Sequence, residues 1–180
     1  NAIGLELVVF DDTDLDWITA ELPMSPSGHG VWEVTSELLH PGARYAVRAV
    51  GPQQNGSMFN SRTLLLDPYA KGITAGGFND WRSVVVDGTF DWGGAAKPRV
   101  PLDRTVLYEG HVKGLTKRHP DVPPALHGTY AGLAHPAMIE HFHALGITTI
   151  ELLPIHAFQS EPRLLQLGLA NYWGYNTVNF

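Results

Sequence analysis

At 180 residues, 44% hydrophobic and 17% charged, the sequence can bury the core of one ordinary domain or of two small ones. Its net charge of −6 offers no basic footprint for nucleic acid, and the absence of cysteine excludes disulfides, thiolate chemistry and cysteine-ligated metals. No apolar run reaches the roughly 18 residues of a spanning helix, and the opening NAIGLELVVF lacks the basic flank of a signal peptide.

The first seventy residues read as β structure. Residues 5–10 are an apolar run rich in β-formers. Val31, Trp32, Val34 and Thr35 follow a Ser27-Gly28-His29-Gly30 turn, and residues 45–50 follow a Pro41-Gly42 turn. Leu64, Leu65 and Leu66 form the last run before Asp67-Pro68. Short strands between glycine and proline turns predict an antiparallel, immunoglobulin-like β-sandwich over residues 1–70. Residues 71–104 differ. Gly72, Gly76, Gly77, Gly88, Gly93 and Gly94 interrupt every apolar run, and Pro98 and Pro101 follow. This segment reads as a connector, packed rather than free, because a Gly/Ser linker would not carry Phe78, Trp81, Phe90 and Trp92.

The pattern changes again over residues 105–180. Residues 105–112 read as a strand and residues 113–134 as a long irregular loop. Pro136 opens a helix, where its missing N–H costs nothing. Met138, Ile139, Phe142 and Leu145 give that helix an apolar face at i, i+1, i+4 and i+7. Gly146 ends it as a left-handed cap, and residues 147–153 form a second apolar strand stopped by Pro154. Strand, crossover helix and apolar strand predict a βαβ unit, the start of a parallel sheet with covered faces. The loop follows the carboxyl end of the first strand, where α/β folds place their ligands. Both ends of the sequence read as interrupted strands, so a piece of a longer protein is expected.

Several patterns invite a chemical reading. Asp12, Asp14 and Asp16 alternate like the start of a calcium loop, but the sixth position is Trp17 and the twelfth Pro23, so an acidic solvated turn is expected. His141 and His143 stand two apart on the predicted helix and point to different faces, so they read as surface residues and no metal site is assigned. The glycines of 72–77 lack the strand–GxGxxG–helix context, and no phosphate loop is present. Glu109 and Glu151 fall on the two predicted strands and can share a sheet face. Glycoside chemistry needs such carboxylates about 5–10 Å apart, but a structural role as buried, hydrogen-bonded carboxylates is the expectation for both.

The run Asn171-Tyr172-Trp173-Gly174-Tyr175-Asn176-Thr177 supports two readings. Its aromatics can plug a core. They can also offer flat apolar faces to the C–H face of a sugar, with the amides of Asn171 and Asn176 for hydroxyls and Gly174 for a sharp turn.

Here the sequence resembles a known family. Residues 108–116 (YEGHVKGLT), 128–133 (GTYAGL), 145–147 with 151–156 (ELLPIH), and above all NYWGYNT, are similar to the opening of the catalytic barrel of isoamylase-type glycogen debranching enzymes of glycoside hydrolase family 13. Residues 64–71 and Phe90-Asp91-Trp92-Gly93 resemble the joint between that barrel and an N-terminal carbohydrate-binding module of family 48. The resemblance implies a β-sandwich over 1–70, a connector over 71–104 and the first βαβ part of a (β/α)8 TIM barrel over 105–180. It implies retaining hydrolysis of α-1,6 branch linkages in glycogen or related α-glucans, with no cofactor. The family's three catalytic carboxylates fall after residue 180, so no catalytic residue is expected here and the chain is expected to be inactive alone. Tyr175 is the ring expected against the glucose next to the scissile bond. Tyr172, Trp173 and Asn176 are expected to line the same substrate-binding cleft, and His156 to support it. The expected partner is an α-glucan polysaccharide, with no nucleic acid or membrane, in the cytoplasm. Alternatives are a glucan branching or trehalose-forming enzyme with the same barrel, or a non-catalytic glucan-binding module. The sequence departs from the family's pattern at Gly110, at His127 and in the apolar stretch 164–170.

Overall fold

In the computed structural model, residues 2–14, 16–52, 54, 56–74 and 80–180 are described. Gly76, Gly77 and Phe78, read above as part of the connector, lie outside the described residues. The chain divides into two compact units, Asn1–Phe90 with Asn179–Phe180, and Asp91–Val178.

The first unit is mostly β-sheet. Its strands are β1 (Gly4–Phe10), β2 (Ile18–Pro23), β3 (Ser25–Gly28), β4 (Val31–Glu33), β5 (Arg44–Val50), β6 (Gly72–Ile73) and β7 (Ser83–Val84). Five of them form one antiparallel sheet in the order β2-β1-β5-β7-β6. β1 lies inside this sheet, with Leu7 opposite Leu22 on one side and Val47 on the other. Leu7, Val8, Val9 and Phe10 are all buried, which explains why this strand reads as a continuous apolar run rather than an alternating one. Val8, Phe10 and Ala46 form the core, with Ile18 and Leu64 packed against them. The Arg82 guanidinium lies 4.7 Å from the Phe10 ring centroid, a cation–π contact in a buried setting. β3 and β4 form a hairpin whose turn passes through Gly28, His29 and Gly30 at φ +100°, +50° and +80°. Three successive left-handed residues demand glycine where they can get it.

Three features of this unit differ from the sequence expectation. β2 was not anticipated. Its Ile18, Ala20 and Leu22 do alternate with Thr19, Glu21 and Pro23, but the run is short and lies beside an acidic turn. Leu64–Leu66 is not a strand: only Leu65 bridges to Val47, through N–H···O contacts of 2.9 and 2.8 Å. The expected connector contributes β6 and β7 to the sheet, each two residues long and so below any readable periodicity.

The second unit is built on β8 (Leu107–Gly110) and β9 (Thr149–Leu152), which pair in parallel with Tyr108 opposite Ile150 and Glu109 opposite Glu151. Between them run α1 (Val112–Thr116), α2 (Tyr130–Leu133) and α3 (Pro136–Ala144). After β9 come β10 (Ala157–Phe158), α4 (Pro162–Gln166) and β11 (Thr177–Asn179), with β10 paired to β11. One face of the β8–β9 ladder is covered. Tyr108 and Ile150 pack on a core of Val122, Met138 and Phe142, with the Tyr108 and Phe142 rings 5.8 Å apart. On the expected helical face Met138 and Phe142 are buried, while Ile139 and Leu145 are exposed. Gly146 ends α3 at φ +69°, with Ile147 N–H reaching back to the Phe142 carbonyl at 3.0 Å. On the opposite face of the ladder, Leu107, Glu109, Thr149 and Glu151 are all exposed. The buried-carboxylate expectation for Glu109 and Glu151 is therefore not met in this chain.

Residues 113–134 are not irregular. They hold α1, a 3-10 turn at Pro124–Leu126 and α2. The segment is tied by short-range caps that periodicity does not reveal. Thr129 Oγ1 accepts from Gly132 N–H at 3.0 Å and donates to the Leu126 carbonyl at 2.8 Å. Buried Thr116 Oγ1 accepts from Gly128 N–H at 2.8 Å. His127 Nε2 lies 2.8 Å from the Val122 carbonyl and 3.1 Å from that of His119, so it clamps the loop to itself. Among the described residues, no helix is long and apolar enough to cross a membrane.

Candidate functional site

Gly174 sets the geometry of the aromatic run. It is buried at φ +82°, and a Cβ built there would lie 3.3 Å from Pro154 Cβ and 3.3 Å from Phe158 Cδ1. The backbone thus turns tightly against Pro154, the second residue after β9. Asn171 braces the turn from inside. Its Oδ1 accepts from Gly174 N–H at 2.8 Å, and its Nδ2 donates to both Glu161 carboxylate oxygens at 3.0 and 3.1 Å. Its backbone N–H reaches Ser160 Oγ at 3.0 Å. The Asn171 amide is consumed by the fold and not held out for a ligand.

With the glycine buried, the rings on either side turn outward. Tyr172 is 45% exposed, Trp173 54% and Tyr175 68%. Tyr172 lies against the other strand of the ladder. It stacks on His111, the residue directly after β8, at 4.5 Å between centroids and 26° between planes. Trp173 meets Tyr172 edge-on at 5.0 Å and His111 edge-on at 5.6 Å. Lys113 Nζ stands 5.9 Å from the Tyr172 centroid. The cluster therefore straddles the carboxyl ends of both β8 and β9, through His111 on one side and Pro154 on the other.

Asn176 is exposed, but its Nδ2 donates to the Gln159 carbonyl at 3.0 Å, and its own carbonyl accepts from Gln159 N–H at 3.0 Å. It fastens the β10 end to the β11 approach with one of its two amide N–H donors. His156, two residues after Pro154, is exposed. His111, Lys113 and Gly114 complete the cluster, and sequence reasoning did not find them. They sit some sixty residues before the aromatics, and no spacing rule connects them.

The remaining candidates lie elsewhere. Asp11 Oδ1 caps the acidic turn, accepting from Thr13 N–H, Thr13 Oγ1 and Asp14 N–H at 2.8, 2.7 and 3.1 Å. The Thr13 and Asp14 hydrogen bonds hold its carboxyl below the usual range. His141 and His143 are exposed on α3. In the first unit Trp17 is 67% exposed, whereas Trp32 is half-buried and lines a cavity of about 460 Å³ with Tyr45, Leu65 and Tyr69. At one end of this cavity Tyr45 Oη donates to Asp67 Oδ2 at 2.8 Å, and Ser83 Oγ accepts from Asp67 N–H at 3.0 Å.

Residues 1–70 match the family described as Carbohydrate-binding module 48 (Isoamylase N-terminal domain). Beyond that module, the aligned region extends over nearly the whole sequence. A glycogen debranching enzyme of Cronobacter sakazakii is 46% identical over 199 aligned residues, covering 99% of this chain and 30% of that protein. The chain is homologous to part of the glycogen debranching enzymes. A second such enzyme, from Yersinia enterocolitica, is 42% identical over 99% of the chain and 30% of its own length. A glycogen operon protein GlgX homolog of Mycobacterium bovis is 38% identical over 98% of the chain and 28% of its length. The chain thus spans about 30% of the length of the curated relatives it matches. Among solved structures, the apo pullulanase of Paenibacillus barengoltzii superposes at a TM-score of 0.70 with 26% identity, covering 99% of this chain and 28% of that one. The same pullulanase in complex with maltohexaose and α-cyclodextrin gives 0.69.

Proposed function

We propose that this chain is a segment of a glycogen debranching glycoside hydrolase, acting on α-1,6 branch linkages of glycogen or related α-glucans. In this reading, residues 1–70 are an immunoglobulin-like carbohydrate-binding sandwich. Residues 71–104 add β6 and β7 to its sheet and then lead to the catalytic domain, and residues 105–180 open a (β/α)8 barrel. The protein works in the cytoplasm. The names of the curated relatives favour debranching over a branching or trehalose-forming reaction on the same barrel. The uncovered face of the β8–β9 ladder supports the barrel reading, because parallel sheets are covered on both faces once complete.

Within that protein the aromatic run is a glucan platform. Tyr175 presents the stacking face, Tyr172 and Trp173 line the cleft beside it, and Asn176 offers its side-chain oxygen. One observation carries this reading: three outward-facing rings gathered at the carboxyl ends of two parallel strands. That end of an α/β sheet is where ligands bind. The chemistry of bond cleavage needs a general acid and a nucleophilic carboxylate flanking the bond. No residue of this segment is assigned either role, so the segment binds and orients.

Calorimetric titration with maltohexaose tests the reading. The wild-type chain should bind, and Tyr175→Ala should weaken binding about tenfold, or about 1.4 kcal/mol, on the scale of one stacked ring. Equal affinity of the two chains would refute the platform. The same purified chain should release no reducing ends from a branched glucan.

A further inference from the structure

We propose that His111 is a positioning residue for the glucan platform: its imidazole is the seat that orients Tyr172 and Trp173. The proposal rests on the platform reading above and deepens it.

The backbone fixes the imidazole first. His111 is the N-cap of α1, in extended conformation at φ −93° and ψ 123°. Its Nδ1 accepts from Gly114 N–H at 3.1 Å, which requires an unprotonated Nδ1 and sets the ring plane. The rings then pack on that plane. Tyr172 lies nearly parallel to it at 4.5 Å and Trp173 meets it edge-on at 5.6 Å, while Tyr172 and Trp173 are perpendicular at 5.0 Å. Each ring touches the other two, in the offset and edge-to-face geometries that aromatic quadrupoles favour. The first turn of α1 is shaped to admit the phenol: a Cβ at Gly114 would sit 3.0 Å from Tyr172 Oη. Half-exposed rings on a surface loop would otherwise sample several rotamers, and ordering them on binding would weaken affinity. A seat provided by a residue locked to a strand end removes that cost.

A capping role alone would explain the Gly114 contact, so the test separates cap from ring. Asn is among the best N-cap residues but has no ring. Phe has the ring but no acceptor. The purified 180-residue chain, His111→Asn, His111→Phe and Tyr175→Ala are compared by maltohexaose titration, near-ultraviolet circular dichroism and thermal melting. His111→Asn should melt close to wild type, lose part of the tyrosine and tryptophan dichroism, and bind at least fivefold more weakly. His111→Phe should melt lower yet recover most of the affinity. Wild-type affinity and dichroism in His111→Asn would overturn the proposal, as would binding by His111→Phe no tighter than by His111→Asn. If His111→Asn fails to fold, the Phe chain decides alone: near-wild-type affinity upholds the seat and a fivefold loss overturns it. Should Tyr175→Ala bind like wild type, the platform reading fails. If no chain binds, both readings fall together.

Discussion

Gly174 is where sequence chemistry and backbone geometry meet most closely. A side chain there faces two costs, a left-handed φ of +82° and contacts of 3.3 Å with Pro154 and Phe158. Gly174→Ala should therefore destabilise the second unit by about 1–2 kcal/mol, read as a lower denaturation midpoint, and weaken maltohexaose binding by displacing Tyr175. An unchanged midpoint would contradict this. The turning glycine was legible in the sequence because it follows from the residue's own chemistry. The direction of the rings was not, since an aromatic suits a core and a sugar face alike and only the fold turns these outward. Nor were the roles of Asn171 and Asn176. An amide is equally suited to a hydroxyl or to a backbone, and only folding decides that these face Gly174, Glu161 and Gln159. His111 was invisible for a related reason: its partners lie sixty residues away.

Among the elements, β8, β9 and α3 could be read from hydrophobic period and from Pro136 and Gly146. β6 and β7 could not, because a two-residue strand is defined by its neighbour, here Ser83 against Tyr45 and Ile73, and β2, though it alternates over Ile18–Pro23, is short and abuts the acidic turn. Pairing also creates consequences that no single segment shows. Glu109 and Glu151 stand opposite each other on β8 and β9, both exposed. Like charges directly opposite destabilise a ladder, so Glu109→Gln should stabilise the second unit of the isolated chain by about 0.2–1 kcal/mol at neutral pH. A fall in its urea midpoint would show instead that the carboxylate is needed. In the first unit, β5 is tied to the 65–69 segment by Tyr45 and Asp67. Burial, and then the hydrogen bond to the Asp67 carboxylate, push the Tyr45 phenol well above its ordinary range. Below about pH 10 both folded and unfolded forms keep the proton, and the contribution is fully present. Above it the unfolded chain ionises first, so stability falls as pH rises. Tyr45→Phe should make the decline in melting temperature between pH 9 and 11 shallower, and an equal decline would remove this linkage.

For the whole molecule, homology to part of the debranching enzymes and a matched carbohydrate-binding module bound the account. Two surfaces then compete as candidates for a saccharide. The second unit offers the ring cluster at the ends of β8 and β9. The first offers exposed Trp17 and the cavity beside Trp32. The cluster combines outward rings with their stack on His111, and we propose that it is the glucan platform. A structure of the chain with maltohexaose tests this most directly. The account predicts a glucose unit with its C–H face within about 4 Å of the Tyr175 ring. A saccharide ordered only at Trp17 or in the Trp32 cavity, with Tyr175 bare, would contradict it.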